Sequence, residues 1–137
     1  MEQPSATLKG LILTLLEQVG EELTIAFRYD AGWSQLRVDG WFWPADFTDF
    51  IQELDALYGS LQGQAVLKPR YGSECMLTLK VGRLGHVEGK IHLEYDEDRF
   101  DGYLDCDQSY LPDFVRDCRS MWAQLISPQI VKGRKLP

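Results

Sequence analysis

The feature that most constrains the fold of this chain is an internal repeat with an offset of 64 residues. ILTLL at residues 12–16 returns as MLTLK at 76–80, and IAFRYD at 25–30 matches IHLEYD at 91–96 after a two-residue insertion. A third match, again offset by 64, pairs FTDFIQELDALYGSL from Phe47 with LPDFVRDCRSMWAQL from Leu111. Self-similarity at a fixed offset indicates a structural unit that occurs more than once. The sequence therefore predicts two similar halves.

Each half contains segments in which apolar and polar residues alternate. ELTIAFRYD at 22–30 and GKIHLEYD at 89–96 follow this pattern, whose period of two is typical of half-buried β-strands. A further alternating segment follows in each half, at 34–42 and at 100–107, and the residues AGW and DEDR supply the turn before it. Each half is therefore expected to contain paired antiparallel strands.

A helix is predicted at the end of each half, over residues 47–61 and 111–125, because apolar residues recur there at spacings of three and four. Pro44 and Pro112 lie near the predicted helix starts, where a missing N–H costs little. The predicted fold class is α+β, with an antiparallel β-sheet, two helices and internally duplicated β-β-β-α halves.

The predicted domain organisation is one domain over residues 1–137. The pseudo-repeats cover about 8–63 and 64–127, and a basic C-terminal tail covers 128–137. A chain of 137 residues with 45% hydrophobic and 26% charged residues is long enough and apolar enough for one globular domain with a real core.

The compartment is predicted from the N-terminal segment and the cysteines. The apolar run from Leu8 to Leu16 is too short to cross a bilayer of roughly 30 Å, and it lacks the basic region and cleavage site of a signal peptide. Cys75, Cys106 and Cys118 have neither disulfide-framework nor zinc-site spacing, so a reducing environment fits best. We expect a cytoplasmic protein with no membrane partner.

The chain has a net charge of -7, and its acidic residues are concentrated in one segment. Between residues 94 and 107 there are seven acidic residues and one arginine. Because nucleic-acid binding depends on lysine and arginine releasing phosphate counterions, we do not expect nucleic acid as a direct ligand. A partner protein with a basic surface is the natural complement.

A calcium site in the acidic segment is not favoured. A calcium loop needs acidic residues at positions 1, 3 and 5 and glycine at 6, so that oxygens converge around a sharp turn. Asp96 and Asp98 fit, but Phe100 occupies position 5, and Asp101 and Gly102 come one residue late. A solvated hairpin turn explains the segment better, so no metal ion or other cofactor is expected.

Catalysis is not favoured either. A carboxylate pair needs one member in a partly buried pocket, whereas strand alternation directs the carboxylates of 101–107 to solvent and Leu104 and Cys106 to the core. The two histidines, His86 in a predicted loop and His92 on the polar side of a strand, have no recognisable nucleophile spacing. We therefore expect no catalytic residues.

A protein-binding surface is the interpretation that remains. Its candidate residues are acidic and aromatic: Asp98, Asp101, Tyr103, Asp105, Asp107, Trp41 and Trp43. The two tryptophans are predicted to share a strand face with Arg37 and Asp39, and aromatic residues beside charges are common anchors of interfaces. The alternatives are a tryptophan packed beneath the following helix and an acidic run that only keeps the surface solvated.

Several of these segments together resemble the WapI-type immunity proteins. They are an N-terminal LxL strand, an alternating strand that enters a loop with Trp, DFxxFIxxL at a helix start, VLKPRY, LTLKV, GKIHLEYD and YLPDFVRDC, over about residues 8–126. The resemblance implies a cytoplasmic, non-enzymatic inhibitor that binds one cognate toxin, often a nuclease. A small carboxylate enzyme, a metal-binding module and a general adaptor are the alternatives, and no oligomeric state is predicted.

Overall fold

The alternating segments form two separate antiparallel sheets in the computed structural model, which describes residues 3–69, 72 and 74–135. The first sheet has the order β1-β2-β3-β4, with β1 at Ser5–Leu8, β2 at Leu11–Val19, β3 at Glu22–Asp30 and β4 at Gln35–Phe42. The second has the order β5-β6-β7-β8, with β5 at Gln64–Leu67, β6 at Cys75–Val81, β7 at His86–Tyr95 and β8 at Asp98–Asp107. One helix follows each sheet: α1 at Pro44–Ser60 and α2 at Leu111–Lys135.

This element order confirms the predicted α+β fold class. The sequence strand-strand-strand-helix occurs twice, and each half also begins with a short strand, β1 or β5. Both predicted helices are present. The segment VLKPRY is only partly strand, because β5 ends at Leu67 and residues 70–71 lie outside the described part of the chain. Of the basic tail, residues 136–137 lie outside it as well.

The sequence of α1 explains why this segment is helical. Phe47, Phe50, Leu54 and Leu57 lie on one buried face. Trp43 caps the N-terminus, where its backbone N–H donates to the Asp46 carboxylate over 2.9 Å. The helix ends where the next residue, with a φ of 55°, adopts a left-handed conformation. Neither helix that the structure describes combines the length and apolar character required to span a membrane.

The core is one apolar cluster to which both sheets and both helices contribute. Helix α1 packs against β5, and α2 packs against β1, so each helix covers the first strand of the other half. The helices meet at Phe50 and Phe114, whose rings pack edge to face with centroids 6.3 Å apart. A salt bridge between Asp55 and Arg119 extends this contact. Neither half has a core of its own.

Strand β8 is an edge strand of the second sheet, and side chains of the first half bond to its outward backbone carbonyls. The Tyr29 hydroxyl donates to the carbonyl of Tyr103 over 2.5 Å, and the Lys9 ammonium donates to that of Asp105 over 2.6 Å. Because these carbonyls are satisfied, this part of the edge is protected against pairing with another strand. The same bonds fix β8 against the first sheet.

Candidate functional site

The most acidic exposed surface among the candidates is the acidic stripe, which we define as Asp101, Tyr103, Asp105 and Asp107 on the outer face of β8. All four side chains are exposed, and Tyr103 is 70% exposed. The alternate residues Leu104 and Cys106 are 6% and 5% exposed and belong to the core. The structure therefore confirms the alternation predicted for β8, and the stripe is accessible to a partner.

Asp98 lies apart from the acidic stripe. It is an even-numbered residue of β8, and the strand alternation directs it to the same side as Phe100. There it lines a cleft together with Phe100, Tyr95 and Trp33. The five candidate residues of this segment thus divide between two surfaces.

Both histidines of the chain lie on β7, beside the acidic stripe. His86 is the first residue of β7, not a loop residue as predicted, and its Nδ1 lies 3.3 Å from an Asp105 oxygen. The Nδ1 of His92 lies 2.6 Å from Asp101 and its Nε2 lies 2.7 Å from Glu94. Because the register pairs β7 and β8 directly, two carboxylates of the stripe have an internal basic partner. Sequence reasoning missed these contacts.

The contacts of His92 give the protein a pH dependence. Hydrogen bonds to Asp101 and then to Glu94 raise its pKa above the ordinary 6.5, against a smaller opposing effect of burial. A histidine whose pKa is raised by folding stabilises the folded state fully below the unfolded-state pKa, and this contribution is lost as the pH rises through the folded-state pKa. The pH window in which this stability is lost therefore begins at about pH 6.5 and extends upward.

We expect the substitution His92→Gln to destabilise the protein at pH 6 and to have a smaller effect at pH 9, because the neutral amide cannot carry the charge that the two carboxylates stabilise. Urea denaturation of the variant and the wild type across this range measures the difference. Lys90→Gln, which removes an exposed cation from the same face of β7, is the control and leaves the pH dependence in place. If the stability of His92→Gln and of the wild type depended equally on pH, His92 would not be the source of the pH dependence.

The tryptophan candidates lie in the first half of the chain, at the end of β4 and the start of α1, whereas the acidic stripe lies on β8. Trp41 is 53% exposed on the outer face of β4, the face that also carries Arg37 and Asp39, as predicted. The Arg37 guanidinium lies 3.1 Å from the Asp39 carboxylate. Trp43 is 41% exposed but lies beyond the end of β4, as the N-cap residue of α1, so the strand face predicted for both tryptophans holds for Trp41 alone. Trp41 thus belongs to the first sheet and Trp43 to the start of its helix, whereas the acidic stripe belongs to the second sheet.

The cysteines do not have the environment of reactive thiols. Cys75 is buried, and this burial, together with smaller effects of Glu74 and Asp39, raises its pKa to about 12. Burial also raises the pKa of Cys106 and Cys118. They stay protonated at neutral pH and pack as small apolar side chains. Within residues 3–69, 72 and 74–135, no group of three or more histidine, cysteine or carboxylate side chains is arranged to hold a metal ion.

Trp33 and Tyr95 are the most exposed of the described aromatic residues that were not among the predicted candidates. Trp33 lies in the β3–β4 turn and is 78% exposed, and Tyr95 at the end of β7 is 70% exposed. The signal for Trp33 was its position in the predicted turn AGW, since turn residues lie at the surface. By the alternation of β7, Tyr95 lies on the side of the core residues, which predicts burial. It is exposed because β7 ends at this residue.

Comparison with known proteins gives one family and one solved fold. The family model described as "Immunity protein WapI-like family" matches residues 19–125. A chain from "Crystal structures of trypanosoma bruciei MRP1/MRP2" has a TM-score of 0.52 and 12% sequence identity, over 88% of this chain and 78% of that chain. At this identity the likeness concerns the fold alone. No curated protein matches the sequence.

Proposed function

Because the chain belongs to the WapI-like immunity protein family, we propose that it binds a cognate bacterial toxin domain and neutralises it by occlusion through an acidic and aromatic surface. The observation that carries the choice of surface is the acidic stripe, which exposes three carboxylates around a tyrosine that is 70% exposed. A stripe of one charge sign with a central aromatic residue can complement a basic partner, because the charges steer the encounter and the aromatic side chain can anchor the complex.

The partner in this proposal is a toxin with a basic surface. A nuclease fits well, because its nucleic-acid-binding cleft must carry lysine and arginine residues. Asp101, Asp105 and Asp107 would face such residues, and the stripe would block the access of the substrate. The immunity protein would act in the cytoplasm, as a stoichiometric inhibitor without catalysis or cofactor.

The carboxylates and the aromatic side chain have different tasks in this mechanism. Complementary charge mainly speeds the encounter between partners and selects against wrong partners. A desolvated aromatic anchor mainly lengthens the lifetime of the complex. The two contributions can therefore be separated in a kinetic measurement.

We expect the triple substitution of Asp101, Asp105 and Asp107 to asparagine to slow association with the toxin by about tenfold at low salt. Its association rate should also depend less on salt, because less charge remains to be screened. The measurement is stopped-flow or surface-plasmon kinetics with the cognate toxin domain, which we expect to be encoded beside this gene. Circular dichroism checks the fold, since Asp101 and Asp105 also contact the histidines.

The matched control removes the same amount of negative charge from another part of the surface. Glu17, Glu21 and Glu22 are exposed residues around the β2–β3 turn, and their substitution by glutamine removes three charges from a distant hairpin. This control should associate at nearly the wild-type rate. If both triple variants slow association equally, net charge and not the acidic stripe steers the encounter, and the proposed surface is wrong.

A further inference from the structure

A cleft of about 490 Å³ lies where the β1–β2 turn meets the paired strands β3 and β4. Four charged residues line it, three cations and one carboxylate: Lys9, Arg28, Arg37 and Asp30. The carboxylate is already engaged, because one oxygen of Asp30 accepts the backbone N–H of Gly32 over 2.8 Å. In a chain with a net charge of -7, this cationic cleft has the opposite sign to the protein as a whole.

Two of the cations stand opposite each other. Arg28 and Arg37 are direct partners in the register of β3 and β4, where like charges repel and destabilise the pairing. Arg37 is partly neutralised by Asp39, whose carboxylate lies 3.1 Å from the guanidinium. Arg28 is exposed, and no salt bridge between the described residues includes it. An anion bound beside the two guanidinium groups would relieve this repulsion.

Lys9 supplies the third cation from the β1–β2 turn. Its φ of 52° lies in the left-handed region, which is uncommon for a residue other than glycine. The turn is attached to β3, because the backbone N–H of Asp30 donates to the Gly10 carbonyl over 2.9 Å. The Lys9 ammonium donates to the backbone carbonyl of Asp105 over 2.6 Å. Because this partner is a neutral oxygen and not a carboxylate, the bond leaves the positive charge of Lys9 uncompensated.

The cationic cleft borders the strand that carries the acidic stripe. Lys9 and Tyr29 both line the cleft, and their side chains bond to the carbonyls of Asp105 and Tyr103 in β8. A specific interface buries roughly 800 Å² on each partner and involves about 20 to 30 residues a side. A toxin that covers the four residues of the acidic stripe must therefore contact further surface, and the cleft adjoins the stripe.

We propose that the cationic cleft receives an aspartate or glutamate side chain of the toxin, an inference that rests on the proposed function. Arg28 binds this carboxylate, and Arg37 and Lys9 add positive charge beside it. The interface then contains both charge signs, because the acidic stripe faces lysine and arginine residues of the toxin and the cleft faces one of its carboxylates. Such a pattern fixes the orientation of the partner and selects against proteins that are basic throughout.

The test measures the affinity of Arg28→Gln and Arg28→Glu for the cognate toxin domain. Arg28→Gln should raise the Kd by about tenfold, and Arg28→Glu should raise it further, because it places two carboxylates against each other. The direction of the change is decisive. If only overall charge attracted a basic toxin, each substitution would make this protein more acidic and should tighten binding.

The matched control is Arg116→Gln, which removes the same charge from an exposed position of α2. This control should bind within about twofold of the wild type, since isolated surface charges contribute little. Urea denaturation of Arg28→Gln checks the fold. The variant should be at least as stable as the wild type, because it removes the repulsion with Arg37. Its loss of affinity would then not result from unfolding.

The toxin side of the contact is tested by reversing charges in pairs. Each exposed aspartate and glutamate of the toxin is replaced in turn by lysine. One of these replacements should weaken binding to the wild type but bind Arg28→Glu more tightly than the unchanged toxin does. The reason is that the charge pair is restored with the opposite polarity, which a double-mutant cycle detects.

The outcomes separate the inference from the function on which it rests. If the wild type neither binds nor protects against the toxin, the proposed function is wrong. If the wild type binds and Arg28→Gln binds as tightly or more tightly, the cleft inference alone is overturned. It is also overturned if Arg116→Gln loses as much affinity, or if Arg28→Glu compensates no lysine replacement in the toxin. Saturable binding of a labelled single-stranded oligonucleotide that Arg28→Gln abolishes would assign the cleft to phosphate groups and overturn it as well.

Discussion

Phe50→Ala is expected to lower the free energy of unfolding by about 3 to 5 kcal/mol, the range for removal of a buried phenylalanine side chain. Phe50 is fully buried, and its ring packs edge to face against Phe114. The substitution leaves a cavity where α1 meets α2, and the surrounding backbone can close it only partly. Equilibrium denaturation in urea or guanidinium chloride measures the effect.

A double-mutant cycle with Phe114→Ala tests the contact between the helices directly. The two residues are 64 positions apart, the offset of the internal repeat, and therefore occupy equivalent places in the two helices. The double variant should be destabilised by less than the sum of the single variants, with a coupling energy of about 0.5 to 1.5 kcal/mol. Gln52→Ala, at an exposed position of α1, should change the stability by less than about 0.5 kcal/mol. Strict additivity would mean that the rings stabilise the helices independently.

Tyr103→Ala is expected to weaken toxin binding by about 1 to 3 kcal/mol, chiefly through faster dissociation. Tyr103 is 70% exposed between Asp101 and Asp105, so it is free to be buried by a partner, and aromatic residues at the centre of an interface dominate its lifetime. Its folded-state hydrogen bond involves only the backbone carbonyl, which accepts from the Tyr29 hydroxyl. The substitution should therefore leave the fold intact.

Dissociation kinetics of the complex check this expectation. Tyr110→Ala is the control, because Tyr110 is 49% exposed in the short turn before α2 and is not part of the acidic stripe. Tyr103→Ala could dissociate at the same rate as the control while the triple asparagine variant associates more slowly than the wild type. The acidic stripe would then steer the toxin without anchoring it. The anchor would then have to lie elsewhere, with the exposed Trp33, Trp41 and Trp43 as the remaining aromatic candidates.

The elements of this protein could be predicted from the sequence because each depends on a local period. The alternation that directs Leu104 and Cys106 inward directs Asp101 and Tyr103 outward, and no distant residue is needed to establish it. The same holds for the buried face of α1, with its spacing of three and four. Even the separation of Asp98 from the acidic stripe follows from its even position in β8, although the sequence interpretation grouped it with the stripe.

Tertiary structure decided the contacts that join residues far apart in the chain. The division of the strands between two sheets and the packing of each helix on the other half depend on burial between segments such as α2 and β1, which local patterns do not encode. The contacts of His92 with Asp101 require the register of the β7–β8 hairpin. Trp33 and Asp98 line one cleft only because two hairpins that are far apart in the sequence meet in the fold. Local periodicity determines which face of an element is apolar, whereas the partner of that face is chosen by the burial and shape complementarity of the whole chain.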